Sequence, residues 1–250
     1  MNTSFKFSFL SGNALKIIAA VCMLIDHIGF LFFPQYPIFR IIGRIAFPIF
    51  AFMIAEGCRY TKNKLRYFLV IFLAAILFQL VYFLYSGSLY MRVFITFSCS
   101  IPMVYALQYA KKEWFSKNAS WLRRMFSLGL FLLSLLTVYL LTRFVRMDYG
   151  LWGALLPLFA SLFYAPNEEA PAWFKKADSV PVHVLTMGIG LILLCSRSVT
   201  LQYFSLLSLP LLLLYSGKRG KWKMKYFFYV FYPAHILMLE GIRILIEKIL

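Results

Sequence analysis

The residues best suited to chemistry are ionisable side chains embedded in long apolar stretches. They are Asp26, His27, Arg40, Arg44, Glu56, Asp148, His183, His235 and Glu240. A charge in the lipid interior costs roughly 3 kcal/mol or more, so such residues are expected to pair or to act. Histidine can take a proton near neutral pH and arginine can stabilise a developing anion, which suits transfer of a group to an amine or hydroxyl. Proton-coupled transport would use the same residue types.

The first cluster combines Asp26 and His27 with Arg40 and Arg44. The two arginines are four residues apart and therefore share one face of a helix. Asp26 lies roughly 10 Å below the end of its helix, and Arg44 is about as deep in the next helix. We therefore expect an Asp26–Arg44 ion pair across an antiparallel hairpin, which leaves His27 or Arg40 for chemistry. In the alternative, these charges only hold two helices together.

Two further pairs lie nearer to the predicted membrane surfaces. Glu56 and Arg59 are three residues apart, with the acid first, which predicts a local ion pair. The alternative for them is a role at the inner mouth, in contact with a soluble donor. Asp148, followed by Tyr149, either caps the helix that begins at Gly150 or contacts a substrate.

His235 lies roughly 14 Å into the last predicted helix, close to the membrane midplane. Pro233 should free a backbone carbonyl beside it. A catalytic role and a buried structural role for His235 both stay open. His183 is expected near the inner interface, and Glu240 is expected to pair with Arg243.

The elements that must position these residues are membrane-spanning helices. Of the 250 residues, 62% are hydrophobic and 14% are charged, and the mean hydropathy is +0.78. This composition predicts an all-α, polytopic helical membrane protein with about nine spans. The predicted spans are 15–33, 37–57, 65–86, 92–110, 125–142, 150–165, 180–196, 199–216 and 226–247. The sixth to eighth are short, so counts of eight and ten stay open.

The chain is expected to form a single membrane domain over residues 1–250. The polar segment 166–179 is the one place that could join two halves, 1–165 and 180–250. No Cys or His spacing indicates a metal site or a disulfide framework.

The distribution of basic residues predicts the orientation. The chain has 26 Lys and Arg against 9 Asp and Glu, a net charge of +17. With nine spans, eighteen of the basic residues fall on one side and six on the other. The positive-inside rule then places the N-terminus inside and the C-terminus outside. Because the charge follows the loops, a nucleic-acid partner is not expected, whereas anionic membrane lipids are.

Several segments resemble the TraX family. They are NALK at 13–16, MLIDHIG at 23–29, FRIIGRIAFPIFAF at 39–52, EG at 56–57, DYG at 148–150 and YPAH at 232–235. The family's named member acetylates the N-terminal amine of conjugative F-type pilin. The resemblance thus implies an acyltransferase of the bacterial inner membrane that uses acetyl-CoA as its donor; from the residue spacing, no metal is expected. The acceptor could be a pilin N-terminus, a polysaccharide or a lipid-linked sugar.

We expect the catalytic set to be His27, His235, Asp26, Arg40 and Arg44. In this hypothesis one histidine takes the acceptor's proton, the arginines stabilise the acyl oxygen, and Asp26 holds the arginines.

The expected substrate-binding set is Glu56, Arg59, Asp148 and Tyr149. The basic segments 59–66 and 218–225 should attract either the phosphates of acetyl-CoA or anionic lipid. Two rival hypotheses are a proton-coupled small-molecule transporter using Asp26, Glu56 and His235, and a non-catalytic scaffold.

Overall fold

Helices make up nearly all the regular structure of the computed structural model, which describes residues 8–221 and 224–249. In this described part no strand is present, although two isolated backbone bridges join Leu10 to Tyr215 and Met91 to Met147. The predicted all-α fold is therefore confirmed. Lys6 and Lys223, which enter the predicted orientation, lie outside the described residues.

Eleven α-helices and one 3-10 helix are described. In chain order they are α1 (Gly12–Phe32), α2 (Pro37–Gly43), α3 (Ala46–Tyr60), α4 (Lys64–Ser86), α5 (Val93–Phe115), α6 (Trp121–Phe144), α7 (Gly150–Ala160), α8 (Ala172–Ala177), α9 (Val180–Cys195), the 3-10 helix (Thr200–Leu207), α10 (Ser208–Leu213) and α11 (Lys225–Ile249). Five described segments are long and apolar enough to cross a membrane: α1, α2 together with α3, α4, α5 and α6. The polytopic membrane architecture is thus supported by length and composition.

The later predicted spans correspond to shorter or less regular helices. Helix α7 has 11 residues and is roughly 16 Å long, about half the hydrocarbon thickness of a bilayer. The predicted span 199–216 contains the 3-10 helix followed by α10. Helix α11 has 25 residues and continues through Pro233 without a break.

The predicted span 37–57 is interrupted at residues 44–45. The amide of Arg44 donates to the carbonyls of Arg40 and Ile41, and the amide of Ile45 donates to Ile42, which tightens the turn. Pro48 has no N–H to donate to the carbonyl of Arg44, four residues earlier, and this explains the position of the break. As a result, Arg44 lies at the end of α2 and not inside a continuous helix.

The chain divides into two compact units, and the boundary falls within α3. The first unit comprises the chain up to Met53 and from Cys195 onward, and in it α1 packs against α2 and α11. The second unit comprises Ile54–Leu194, and in it α5 packs against α4, α6 and α7. The polar segment 166–179 lies inside the second unit. The single membrane domain with possible halves 1–165 and 180–250 stays a prediction.

Two glycines allow α1 and α2 to approach each other closely in the first unit. A Cβ atom on Gly29 would overlap the side chain of Phe39 in α2. A Cβ atom on Gly43 would overlap the carboxyl group of Asp26 in α1. These two positions bring the backbone of each helix against a side chain of the other, and they fix where Asp26 lies.

Candidate functional site

An ion pair between α1 and α2 is the first component of the candidate site. The Arg40 guanidinium donates to Asp26 through an Nη1–Oδ2 contact of 2.7 Å. The same guanidinium lies over the ring of Phe30, 5.2 Å from its centroid. The predicted Asp26–Arg44 pair is therefore wrong. Arg40 reaches Asp26 in α1, whereas Arg44, one helical turn later and still helical in its backbone, is directed to Gln202 of the 3-10 helix.

Arg44 instead contacts the 3-10 helix. Its Nη1 lies 3.3 Å from Oε1 of Gln202, a side chain that is 3% exposed. Among the described residues, Nε of Arg44 and Nε2 of Gln202 have no hydrogen-bond partner. Arg44 thus places a cation against a neutral amide, and it keeps a donor available for an anionic or polar group.

A pair of histidines is the second component. The rings of His27 and His235 meet edge to face, with centroids 5.0 Å apart and an interplanar angle of 81°. His27 comes from α1 and His235 from α11. The sequence left open which of the two is the base, and the structure places them in contact within the first unit.

Backbone carbonyls fix the tautomer of both rings. Nδ1 of His27 lies 2.8 Å from the carbonyl of Met23, and Nδ1 of His235 lies 2.8 Å from the carbonyl of Phe231. A carbonyl can only accept, so each Nδ1 carries the proton and each Nε2 has the lone pair in the neutral ring. Nε2 of His235 is buried and has no hydrogen-bond partner within the described part of the chain.

These groups all lie in the first unit, and α1 carries both Asp26 of the ion pair and His27 of the histidine contact. Asp26 is adjacent to His27, and its carboxylate neutralises Arg40 but is not hydrogen-bonded to Arg44. At reduced dielectric an imidazole lone pair and an arginine act more strongly than they do in water. The arrangement is suited to removing a proton and stabilising an oxyanion.

A second cluster lies in the second unit, where the predicted Glu56–Arg59 pair does not form. The Tyr164 hydroxyl donates to Oε1 of Glu56 over 2.8 Å. Arg59 pairs instead with Asp178, with Nη1–Oδ1 and Nη2–Oδ2 distances of 2.8 and 2.9 Å. The i,i+3 spacing concerns only the local neighbour, whereas Asp178 comes from the polar segment 119 residues further along the chain.

Asp178 holds this cluster together. Its Oδ1 lies 3.1 Å from Nε2 of His183, and its Oδ2 accepts from the amide of Ala165 over 3.0 Å. Burial by itself would raise the pKa of Asp178. The close approach of His183 and the positive charge of Arg59 outweigh burial and lower that pKa below its ordinary value. His183 is 1% exposed and therefore lies in the interior of the second unit.

Lys111 supports the irregular backbone after α7. Its Nζ donates to the carbonyls of Ser161, Leu162 and Tyr164 over 2.9, 3.2 and 2.8 Å. Buried carbonyls that no helix satisfies need other hydrogen-bond partners. The lysine supplies them at the point where α7 stops.

Asp148 does not cap the helix that follows it. The residue preceding α7 is Tyr149, which adopts a left-handed conformation with φ of 60°. The carbonyl of Asp148 accepts from Thr96, and its carboxylate interacts with Tyr90. Burial and the neighbouring Asp148 raise the pKa of Tyr90 to about 12. Asp148 therefore contacts Tyr90. Substrate binding by Asp148 and Tyr149 stays a prediction.

The outcome for the remaining candidates is mixed. Arg243 Nε lies 2.8 Å from Oε2 of Glu240, which confirms that predicted pair. The residues that sequence reasoning missed are Gln202, Tyr164, Asp178 and Lys111. Gln202 carried a usable signal, because it is an isolated amide in an apolar stretch. Over the described residues, no three His, Cys, Asp or Glu side chains are grouped so that they could hold a metal ion.

Comparison with known proteins identifies the family of this chain. The chain is 25% identical over 266 residues to a probable fimbrial assembly protein FimC, serogroup H1, of Dichelobacter nodosus, covering 95% of this chain and 97% of the relative. A 54-residue stretch is 46% identical to an uncharacterized protein of Rickettsia prowazekii (strain Madrid E), covering 22% and 21% of the two chains. No solved structure matches. The family described as TraX protein matches residues 11–243, and the chain therefore belongs to the TraX family.

Proposed function

We propose that this protein is a membrane acyltransferase that moves an acetyl group from acetyl-CoA to an amine or hydroxyl. The observation that carries the proposal is the contact between His27 and His235, next to the Asp26–Arg40 pair. A histidine Nε2 offers a proton acceptor, and Arg44, also in the first unit, offers a cation for the oxyanion; acyl transfer needs both kinds of group.

The reaction is proposed to proceed by direct attack. A histidine Nε2 takes the proton of the acceptor's hydroxyl or amine as its oxygen or nitrogen attacks the thioester carbonyl carbon. The new C–O or C–N bond forms and the carbonyl oxygen becomes an oxyanion. The C–S bond then breaks, and coenzyme A leaves as a thiolate that takes the proton back from the imidazolium.

We assign different roles to the two arginines. Arg40 is already neutralised by Asp26, and we infer that this pair holds α2 against α1. Arg44 is bound to the neutral amide of Gln202 and keeps an unused Nε donor, so it is the better candidate to stabilise the oxyanion. Asp26 is then a positioning residue that pairs with Arg40 alone.

Location and acceptor belong to the same proposal. Family membership and the apolar helices support a membrane setting, and we propose the bacterial inner membrane, where acetyl-CoA is available on the inner side. The relative named as a probable fimbrial assembly protein favours a pilus-type protein amine as the first acceptor to test. Polysaccharides and lipid-linked sugars follow. Glu56, Arg59, Asp148 and Tyr149 remain proposed substrate contacts, although Arg59 is already paired with Asp178.

The test is acetyl transfer by the purified full-length protein in vesicles. Radiolabelled acetyl-CoA is supplied with pilin-type peptides, sugars and lipid-linked sugars, and each product is separated and counted. Labelled product that depends on His27 and His235 supports the proposal. A result with no labelled acceptor, together with pH-dependent solute uptake that Asp26→Asn abolishes, would instead establish the transporter hypothesis.

A further inference from the structure

A short basic loop in the first unit is held against the start of α1. Residues 216–221 have the sequence SGKRGK. The amides of Gly12 and Asn13 donate to the carbonyls of Lys218 and Arg219 over 2.8 and 3.0 Å. The backbone of the loop therefore satisfies the helix start, while the side chains of Lys218 and Arg219 are exposed.

Two glycines allow this loop conformation. Gly217 and Gly220 have φ values of 70° and 96°, which side-chain-bearing residues rarely adopt. A Cβ atom on Gly220 would lie 2.8 Å from Oγ of Ser11, so the loop could not pack as closely with a larger residue there. The loop is thus a defined structure, and it presents its cations from a fixed backbone.

The positive charges at this end have no acidic residue near them in the sequence. We call Lys16, Lys218, Arg219 and Lys221 the basic loop cluster. Lys16 lies over the ring of Phe228 and within electrostatic range of Arg219. Residues 1–25 and 195–239 contain no Asp or Glu, and no member of the cluster forms an ion pair among the described residues. Like charges held together in this way favour binding of an anion.

The other basic segment, 59–66, differs in this respect. Arg59 is paired with Asp178, and Nζ of Lys64 lies over the ring of Tyr105, 5.3 Å from its centroid. Part of its charge is therefore already used within the second unit. The structure distinguishes two segments that the sequence left equivalent.

We propose that the basic loop cluster binds a phosphate-bearing ligand. The inference rests on the proposed function in identifying that ligand as the acyl donor, and an anionic phospholipid headgroup is the other source of the same chemistry. Lys16 lies eleven residues before His27 on α1, roughly 16 Å along the helix. Phosphates held at the cluster would leave the long pantetheine arm directed along α1 towards the histidine pair.

The experiment measures coenzyme A binding to the full-length protein in nanodiscs made only of phosphatidylcholine. Lys16→Gln and Arg219→Gln should each weaken binding about tenfold, because each removes a charge-assisted contact to phosphate. Lys16→Arg keeps the charge and should retain coenzyme A binding. This control separates a loss of binding from a failure of the protein to fold. Lys62→Gln, in the other basic segment, should leave the Kd unchanged.

A second arm distinguishes the source of the phosphate. Nanodiscs that contain phosphatidylglycerol are analysed by native mass spectrometry for lipid retained by each variant. If coenzyme A binding is unchanged but retained lipid is lost in Lys16→Gln and Arg219→Gln, the cluster binds a headgroup. If neither ligand responds, or if Lys62→Gln has the larger effect, the assignment of the site is overturned.

Failure of this inference is separable from failure of the proposed function. Acetyl transfer by the wild type with an unchanged KM for acetyl-CoA in both variants would reject the cluster and leave the acyltransferase intact. Charge-dependent ligand binding without any acetyl transfer by the wild type would reject the acyltransferase and leave the cluster.

Discussion

If Asp26 pairs with Arg40 and not with Arg44, substitutions at these three residues should affect stability differently. Asp26→Asn or Arg40→Gln alone leaves one unpaired charge, which costs about 3–5 kcal/mol when a pair is fully buried. Here the arginine and aspartate side chains are 30% and 18% exposed, so solvent screens part of that cost. We expect each single variant to lose about 2 kcal/mol of unfolding free energy, equivalent to a Tm lower by roughly 4–8 °C.

The assay is a double-mutant cycle followed by thermal unfolding in detergent. Asp26→Asn combined with Arg40→Gln removes both charges, and we expect it to recover about 1–2 kcal/mol relative to the sum of the two single losses. Asp26→Asn combined with Arg44→Gln is the matched comparison and should show a clearly smaller coupling, because Arg44 acts on Asp26 through charge without a hydrogen bond. If the coupling is larger with Arg44 than with Arg40, or absent from both cycles, the assignment of the ion pair is refuted.

Three further predictions concern packing and the second unit. Gly43→Ala should lower the Tm because the new Cβ would overlap the carboxyl group carried by α1, whereas Gly129→Ala, where nothing lies within 4 Å, should be neutral or stabilising. Lys111→Met should cost about 3 kcal/mol by leaving three carbonyls without their charged donor, a loss that thermal unfolding would detect. Lys112 is exposed, so Lys112→Met should cost little unfolding free energy. Equal losses of unfolding free energy in the two variants would contradict the role given to Lys111. Asp178 has a lowered pKa, so its contribution to stability is present above the unfolded pKa of about 4 and is lost as the pH falls through the folded pKa. The difference in Tm between wild type and Asp178→Asn should therefore be constant above about pH 5 and shrink in more acidic solution; a difference independent of pH would show that the carboxylate charge is not responsible.

Much of the architecture could be predicted from composition and hydropathy. Apolar runs identify helices because lipid offers the backbone no hydrogen bonds, and this requirement is independent of tertiary contacts. The ends of the shorter later helices could not be predicted from hydropathy. Helix α7 ends where Lys111 donates hydrogen bonds to the backbone carbonyls that follow it. Lys111 belongs to another helix, so the local hydropathy of α7 does not indicate this contact.

The residues of the candidate site could be predicted from the sequence, but only some of the contacts between them could. The i,i+4 spacing of Arg40 and Arg44 places both on one face, but it cannot show which of them reaches Asp26. That choice depends on tertiary packing, because Arg40 meets Asp26 of α1 while Arg44 meets Gln202 of the 3-10 helix. His27 and His235 are 208 positions apart, and their contact depends on packing between α1 and α11 that no local pattern encodes.

The histidine pair is the central claim, and rates of acetyl transfer test it most directly. The measurement compares wild type, His27→Ala, His235→Ala and the double variant in vesicles, under saturating radiolabelled acetyl-CoA and one accepted substrate. If the two rings act as a unit, each single variant should lose about 10²–10⁴-fold in rate, and the double variant should be little worse than the poorer single one. Transfer at the wild-type rate in both single variants would contradict the account.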